Sequence, residues 1–577
     1  MKAATSLVPA FAASALASSF LQARQSNWTV GQTVQTSSGP VNGHAASNAT
    51  GVSEYLGIPF AQPPIGDLRF AAPVAYNGTA TINGTNFGYT CPQQPSHYNL
   101  SLIQEANITT AGINLLQQIG TTITAQSEDC LTLNVWTKPQ TGEKKKAVLL
   151  WIYGGGFNSG STAIRAYNGQ HIVDEEDVIV VSVNYRVNIF GFPGNPAGPA
   201  NVGLLDQRLG VEWVRDNIEA FGGDPSRITL FGQSAGGASV DLYNYAWVED
   251  PIVAGFIPES GTALSWAIPN SAEITTSAWY NVSAKLGCGD ASSSAESVLT
   301  CMRTKNTTAI LNGISGAGGT AGILGSFVPT ADEKVVFSNY TERSAAGKFT
   351  KKPVLLGNND NEAGLFIAQF ALQGITYPAS FWNAFNIQSF TCPSGVRANV
   401  SIQHNVPTWR YRYFGDFPDT EIYPGVGTWH GAEIPLLFDT NIVTPPQTQE
   451  QIAIGNYVRG AWAAFAKDPE AGLDAYGWPR YEVGSETLLR LAWDNKTGTN
   501  AVDPVLYDQY CSLVNISNTD PDVPAGLPNG TSGSGNASAT GSGGPAQQTT
   551  SGAGMLGVST GLGLVVLGLM MGMGGLL

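Results

Sequence analysis

One serine in this sequence sits where a nucleophile would be placed. The segment Phe221 to Gly237, FGGDPSRITLFGQSAGG, contains Gly232-Gln233-Ser234-Ala235-Gly236. Ile228 to Phe231 before it reads as a short strand, and the small residues after it open a helix. A sharp strand-to-helix turn strains the backbone at its apex, so the residues flanking the serine must be tiny. The hydroxyl then stands clear of the sheet, and the amides at the helix start face a developing oxyanion. A bare Gly-x-Ser-x-Gly is a weak signal, because glycine and serine are common in loops. Between a strand and a helix it is considerably stronger. A second segment fits the same chemistry: Tyr153-Gly154-Gly155-Gly156-Phe157 closes the apolar run Ala147 to Tyr153 and continues past its end. Backbone without side chains can approach a reacting carbonyl closely. The competing reading is a flexible turn, and the serine elbow elsewhere in the chain favours the first.

Such a serine needs a base, and the chain has only five histidines. On a strand–turn–helix elbow the expected order along the chain is serine, acid, histidine. Only His404 and His430 follow Ser234. His404, in SIQHNVPTWRYRYF, shortly precedes an aromatic strand-like run and reads as an edge or surface residue. His430 lies in the Gly-rich loop GVGTWHGAEIP, the kind of segment that presents catalytic groups. The acid belongs between Ser234 and His430 at the end of a strand. The segment LLGNNDNEAGLF, after Val354 to Leu356, offers Asp360 and Glu362, and spacing alone does not separate them.

The elements that must position these residues alternate. Ala147 to Tyr153 and Val178 to Val183 are short apolar runs expected of strands buried on both faces. Val211, Val214, Ile218 and Phe221 step along one side of a helix. Strands alternating with helices predict an α/β fold with a mostly parallel central sheet and helices on both faces. The chain has 577 residues, 43% of them apolar, ample for a large core. Its formal charge of −15, with no basic cluster, argues against a nucleic-acid partner.

Several features point to the secretory pathway. Lys2 followed by the apolar run Leu7 to Leu21 predicts a signal peptide over residues 1–23. Fourteen Asn-x-Ser/Thr sequons, among them Asn27, Asn83, Asn107, Asn281 and Asn339, suit a glycosylated surface. Six cysteines fit three disulfides in an oxidising compartment, and no zinc spacing occurs. The body runs over 26–518, followed by a Gly/Ser-rich spacer at 521–554 that cannot bury enough apolar surface to fold. The tail, 555–577, has no charged residue, and no Lys or Arg follows Lys496. A spanning helix usually carries flanking cations. Small residues at Ser542-Gly543-Gly544, a polar stretch and an apolar tail instead match the order of a glycolipid-attachment signal, with Gly541 or Asn536 as other attachment positions. Through that anchor a membrane is an expected partner.

The stretch Phe221 to Gly236 resembles the serine signature of the type-B carboxylesterases, which include cholinesterases and fungal lipases. Glu128 to Trp136, EDCLTLNVW, is similar to that family's second signature, and the likeness continues through NYRVNIFGF, NVGLLDQR, WHGAEIP and WAAFAKDPEAG. The resemblance implies an α/β-hydrolase fold and a serine carboxylic ester hydrolase that uses no metal or organic cofactor, with a small-molecule or lipid ester as its partner. It implies Ser234 as nucleophile, Glu362 and not Asp360 as acid, and His430 as base. It also implies oxyanion donors at Gly155, Gly156 and Ala235, and structural ion pairs Arg69–Glu128 and Arg186–Asp206. The implied disulfides are Cys91–Cys130, Cys288–Cys301 and Cys392–Cys511. Three features depart from the family: Gln233 replaces a common Glu, Ala363 replaces a Gly, and no tryptophan occurs between Cys91 and Cys130. Cholinesterases carry in that loop a tryptophan that holds a quaternary ammonium, so choline esters are not expected substrates. The apolar part of the loop, Leu100 to Ile123, reads either as a lid over the site or as a packed surface loop. A cholinesterase-like adhesion protein that lacks the serine is the non-catalytic alternative, and it is disfavoured because all three triad candidates are present.

Overall fold

β-Branched and aromatic runs build the centre of the molecule. The computed structural model describes residues 28–94, 99–120, 123–138, 145–265, 269–314 and 325–513. The signal peptide, spacer and C-terminal tail read from the sequence lie outside these residues. One large sheet contains β1 (His44–Ala45), β2 (Ser53–Pro59), β3 (Thr132–Thr137), β4 (Lys146–Ile152), β5 (Ile179–Val183), β6 (Gly223–Gln233), β7 (Gly255–Glu259), β8 (Val354–Asn359), β9 (Thr408–Tyr413) and β10 (Leu488–Leu491). Their spatial order is β10-β9-β8-β7-β6-β4-β5-β3-β2-β1. From β5 to β10 every pairing is parallel, whereas β1, β2 and β3 add an antiparallel edge. Every residue of β4 and β5 is buried, as both-face coverage by helices requires. Helix Ala235–Ala246 packs on β6 and β7, and helix Gln449–Lys467 on β4 and β6. A separate small sheet joins Val34–Thr36, Gly39–Asn42 and Ile82–Asn83.

The strand read from Ile228 to Phe231 is the inner part of the longer β6. Its outer residues Asp224, Ser226 and Arg227 are polar and partly exposed, so that end carries no apolar signal although the backbone is extended. The helical face of Val211 and Val214 is buried on helix Val202–Asn217, which continues as a 3-10 turn over Ile218–Phe221. All three disulfides are formed: Cys91–Cys130, Cys288–Cys301 and Cys392–Cys511. Both ion pairs are present and buried, Arg186 to Asp206 at 2.7 Å and Arg69 to Glu128 at 2.5 Å. Arg69 also donates to the carbonyls of Arg303 and Lys305, which ties the helix Ala295–Thr304 to the body.

Register sets the place of the site. Glu259 at the end of β7 lies between Gln233 of β6 and Gly357 of β8. The ladder continues one residue further: the Ser234 amide donates to the Glu259 carbonyl at 2.9 Å, and the Ser260 amide to the Gly357 carbonyl at 2.8 Å. The carboxyl ends of three neighbouring parallel strands therefore open at one level, where ligand sites of such sheets form.

Candidate active site

The chain leaves β6 at Gln233 and enters helix Ala235–Ala246 with a single residue between them. That residue, Ser234, has φ 61° and ψ −124°, a conformation rare for any residue with a side chain. The turn is tight because helix and strand touch. A Cβ on Gly236 would overlap the Ile152 carbonyl oxygen, and one on Gly232 would stand 2.5 Å from the same atom. Past the end of β4, Gly155 has φ +116° and Gly156 φ +61°, so the backbone curls around the serine. The amides of Gly155, Gly156 and Ala235 make no hydrogen bond to another described residue.

His430 is buried in the loop that precedes helix Ile434–Phe438. Its Nδ1 lies 2.6 Å from Oε2 of Glu362, and its Nε2 is buried with no hydrogen-bond partner. Glu362 follows β8 and is only 1% exposed. Its other oxygen, Oε1, accepts from the Asn359 amide at 2.7 Å. The imidazole packs against the rings of Phe366 and Phe390, with centroids 5.2 and 5.0 Å away. Asp360, the alternative acid left open by spacing, instead pairs with Arg412 at 2.9 Å and is half exposed. His404 caps helix Cys392–Gln403, bonds through Nε2 with the Ser344 carbonyl at 2.9 Å and packs its ring on Phe349. It lines no part of the cavity described next.

Ser234, His430 and Gly154 to Gly156 line one cavity of about 750 Å³. Its walls combine apolar side chains with amides such as Gln93, Gln126 and Gln369, and no Asp, Glu, Lys or Arg lines it among the described residues. One wall comes from the Cys91–Cys130 loop, whose helix Thr110–Gly120 presents Ile113, Leu116 and Ile119. This helix is docked: Thr109 Oγ1 donates to the Glu421 carbonyl at 2.5 Å and Gln118 Nε2 to the Thr440 carbonyl at 2.6 Å. Within Leu100 to Ile123, the helix Thr110–Gly120 is thus a packed element that lines the cavity.

Two buried carboxyl groups behind the histidine were not singled out from the sequence. Glu433, three residues after His430, is pushed up to about 8, first by burial and then by the charge of Glu362. Asn359 Nδ2 donates both to Glu433 and to the Trp429 carbonyl. Glu259 is raised well above the ordinary carboxyl range by burial and by Glu433, and accepts from Trp462 Nε1 at 2.7 Å. Burial thus favours the protonated form of both. The WHGAE spacing was a usable signal for Glu433. Glu259 ends an apolar strand and carries none.

A mostly parallel sheet with a strained serine between strand and helix, and a histidine that lines the serine's cavity while paired to a buried glutamate behind it, defines an α/β-hydrolase. The sequence profile described as the carboxylesterase family matches residues 30–378. A chlorogenic acid esterase of Aspergillus niger is 38% identical over 507 residues, covering 83% of this chain and 94% of that protein. Secreted lipase 5 of Gibberella zeae is 35% identical over 506 residues, covering 81% and 91%. A cholinesterase of Mus musculus is 36% identical over 341 residues, covering 58% and 54%. The chain belongs to the carboxylesterase family and is a carboxylic ester hydrolase.

Proposed function

We propose that this protein hydrolyses neutral carboxylic esters in two acyl-transfer steps at Ser234. His430 Nε2 takes the Ser234 proton, while Glu362 holds the imidazole through Nδ1 and stabilises its charged form. The Ser234 oxygen attacks the ester carbonyl, and the amides of Gly155, Gly156 and Ala235 receive the oxyanion. Losing one such donor costs about 3–4 kcal/mol of barrier. The C–O bond breaks and His430 returns its proton to the departing alcohol. Water then attacks the acyl carbonyl with His430 again as base. The acyl–Ser234 bond breaks as His430 returns the proton to the serine oxygen, and the acid leaves. The observation that carries this reading is the His430–Glu362 bond at 2.6 Å, with Nε2 left unpaired in the cavity that Ser234 lines. The cavity's lack of ionic side chains supports neutral esters over choline esters, in keeping with the missing loop tryptophan. Its apolar wall of Ile103, Ile108 and Ile113 also suits lipid esters. An alkyl phosphonate should label Ser234 stoichiometrically, and Ser234→Ala should leave a folded protein with background turnover of nitrophenyl esters. A variant that still hydrolyses them at the parental rate would place the nucleophile elsewhere.

The same reading extends to location. Three disulfides and an absence of buried sequon asparagines among the described residues support an extracellular protein. The small-residue, spacer and apolar-tail order of 542–577 supports a glycolipid anchor. No helix among the described residues is long and apolar enough to cross a membrane. Phosphatidylinositol-specific phospholipase should release active enzyme lacking 555–577 from intact cells. Enzyme that stays bound with that peptide attached would refute the anchor.

A further inference from the structure

A second, smaller chamber of about 60 Å³ opens beside the nucleophile, lined by Ser234, Gly156, Ala235 and His430. Its far walls are Phe157, Phe366, Phe385 and Phe390. Among these rings stand Ser260 and Ser389, whose hydroxyls are buried and make no hydrogen bond. A buried hydroxyl left without a partner is destabilising, and among the described residues only Thr132, Thr229 and Tyr411 carry others in that state. Ser239 and Ser401, in helices, bond back to the carbonyls of Ala235 and Arg397. Ser389 also sits in helical backbone and does not. It belongs to a π-helical turn, Ile387–Thr391, inserted between helices Ala379–Asn386 and Cys392–Gln403. Such insertions break the regular ladder and concentrate at functional sites. Ser260 is irregular in a different way. It has φ +48°, a left-handed conformation that disfavours serine, and is held there next to Ser234 by its bond to Gly357.

We propose that this chamber receives the acyl part of the substrate and selects a short acyl group that carries a hydroxyl, through Ser260 and Ser389. The proposal rests on the reading of Ser234 as nucleophile. Size sets the length: at about 10–15 Å³ for each water-sized group, 60 Å³ holds roughly four to six heavy atoms. Chemistry sets the class. The phenylalanine rings contact the carbon chain, and the acyl hydroxyl gives one donor and accepts from another, which satisfies two serine oxygens that an alkyl group leaves unpaired. A site built to bond a substrate hydroxyl rejects the isostere that lacks it.

The test compares kcat/KM for methyl 3-hydroxybutanoate, each enantiomer separately, with methyl 3-methylbutanoate, which has a methyl in place of the hydroxyl. A parallel pair, methyl 3-(4-hydroxyphenyl)propanoate and its 4-methylphenyl counterpart, probes a longer hydroxylated group. The parent should favour one hydroxybutanoate enantiomer roughly tenfold or more. Ser389→Ala and Ser260→Gly should each bring that ratio close to one. Glycine relieves the positive φ at 260, so this variant folds at least as readily as the parent, and phosphonate titration counts the intact sites. Equal rates for the short pair, or an undiminished ratio in both variants, would overturn the proposal. A hydroxyl preference confined to the aryl pair would overturn the short-chain assignment. If phosphonate fails to label Ser234 while esters are still cleaved, the underlying reading of the nucleophile fails, and that result is separable from an unselective chamber at a labelled serine.

Discussion

Replacing Glu362 by glutamine tests the arrangement of the site more sharply than deleting any group, because the change is isosteric and the structure dictates how the amide must sit. Oε1 of Glu362 accepts from the Asn359 amide at 2.7 Å, and Oε2 faces His430 Nδ1 at 2.6 Å. A backbone N–H can only donate, so the glutamine oxygen must stay on Asn359. Its NH2 group then points at Nδ1 and donates to it. That forces the imidazole proton onto Nε2, the nitrogen that must be bare to accept the proton of Ser234. Turning the amide over would set two donors face to face in a pocket only 1% exposed, at a cost of about 1–3 kcal/mol. It would also leave a neutral group where a carboxylate should steady the imidazolium. Together the tautomer trap and the lost charge should lower kcat about 10⁴-fold, or about 5.5 kcal/mol. The assay is steady-state hydrolysis of 4-nitrophenyl butanoate, normalised by phosphonate titration, with thermal unfolding to establish that the variant is folded. KM should change little, since Glu362 lines neither chamber. A folded variant with kcat within about tenfold of the parent would refute the role given to Glu362, because a tautomer trap alone predicts a far larger loss.

Gly236→Ala should lower stability by about 1–3 kcal/mol and depress activity, since the new Cβ overlaps the Ile152 carbonyl oxygen beneath the elbow. Thermal unfolding and ester turnover check both, and a parental melting temperature would contradict the packing argument. His430→Ala should abolish hydrolysis. His404→Ala should keep kcat while losing about 1 kcal/mol of stability with its bond to Ser344, so an inactive His404 variant would reverse the assignment of the base. Glu433, raised from 4.5 to about 8 by burial and Glu362, binds its proton more tightly folded than unfolded. Its contribution is therefore present below about pH 4.5 and is lost as pH rises through about 8. Unfolding free energies from urea titrations across that range should fall more steeply for the parent than for Glu433→Gln, by up to about 1.4 kcal/mol per pH unit. Equal slopes would show that Glu433 is not the group responsible.

Chain-local rules make much of this protein legible in its amino-acid order. The elbow is a strand, a serine between glycines and a helix start, all within the segment Phe221 to Gly237, so Ser234 stands out from local sterics alone. Two histidines after it left a short elimination, and alternating buried runs announced the parallel sheet, because burial on both faces demands unbroken apolar strands. Long-range geometry decided the rest. Asp360 and Glu362 are neighbours in sequence and equivalent by spacing, and the family resemblance alone pointed to Glu362. In the fold one turns outward to Arg412 while the other turns inward to His430, a difference set by where β9 and the His430 loop lie. The acyl chamber had no sequence signature, since Phe157, Ser260, Phe366 and Ser389 come from four separate parts of the chain. Glu259 ends an apolar strand, and its pKa is raised first by burial and then by Glu433, both of which need the folded chain. Backbone strain and apolar period are properties of neighbours in sequence. A cavity, and the charge state of a buried acid, belong to neighbours in space, and those exist only once the strand ends have been brought to one level.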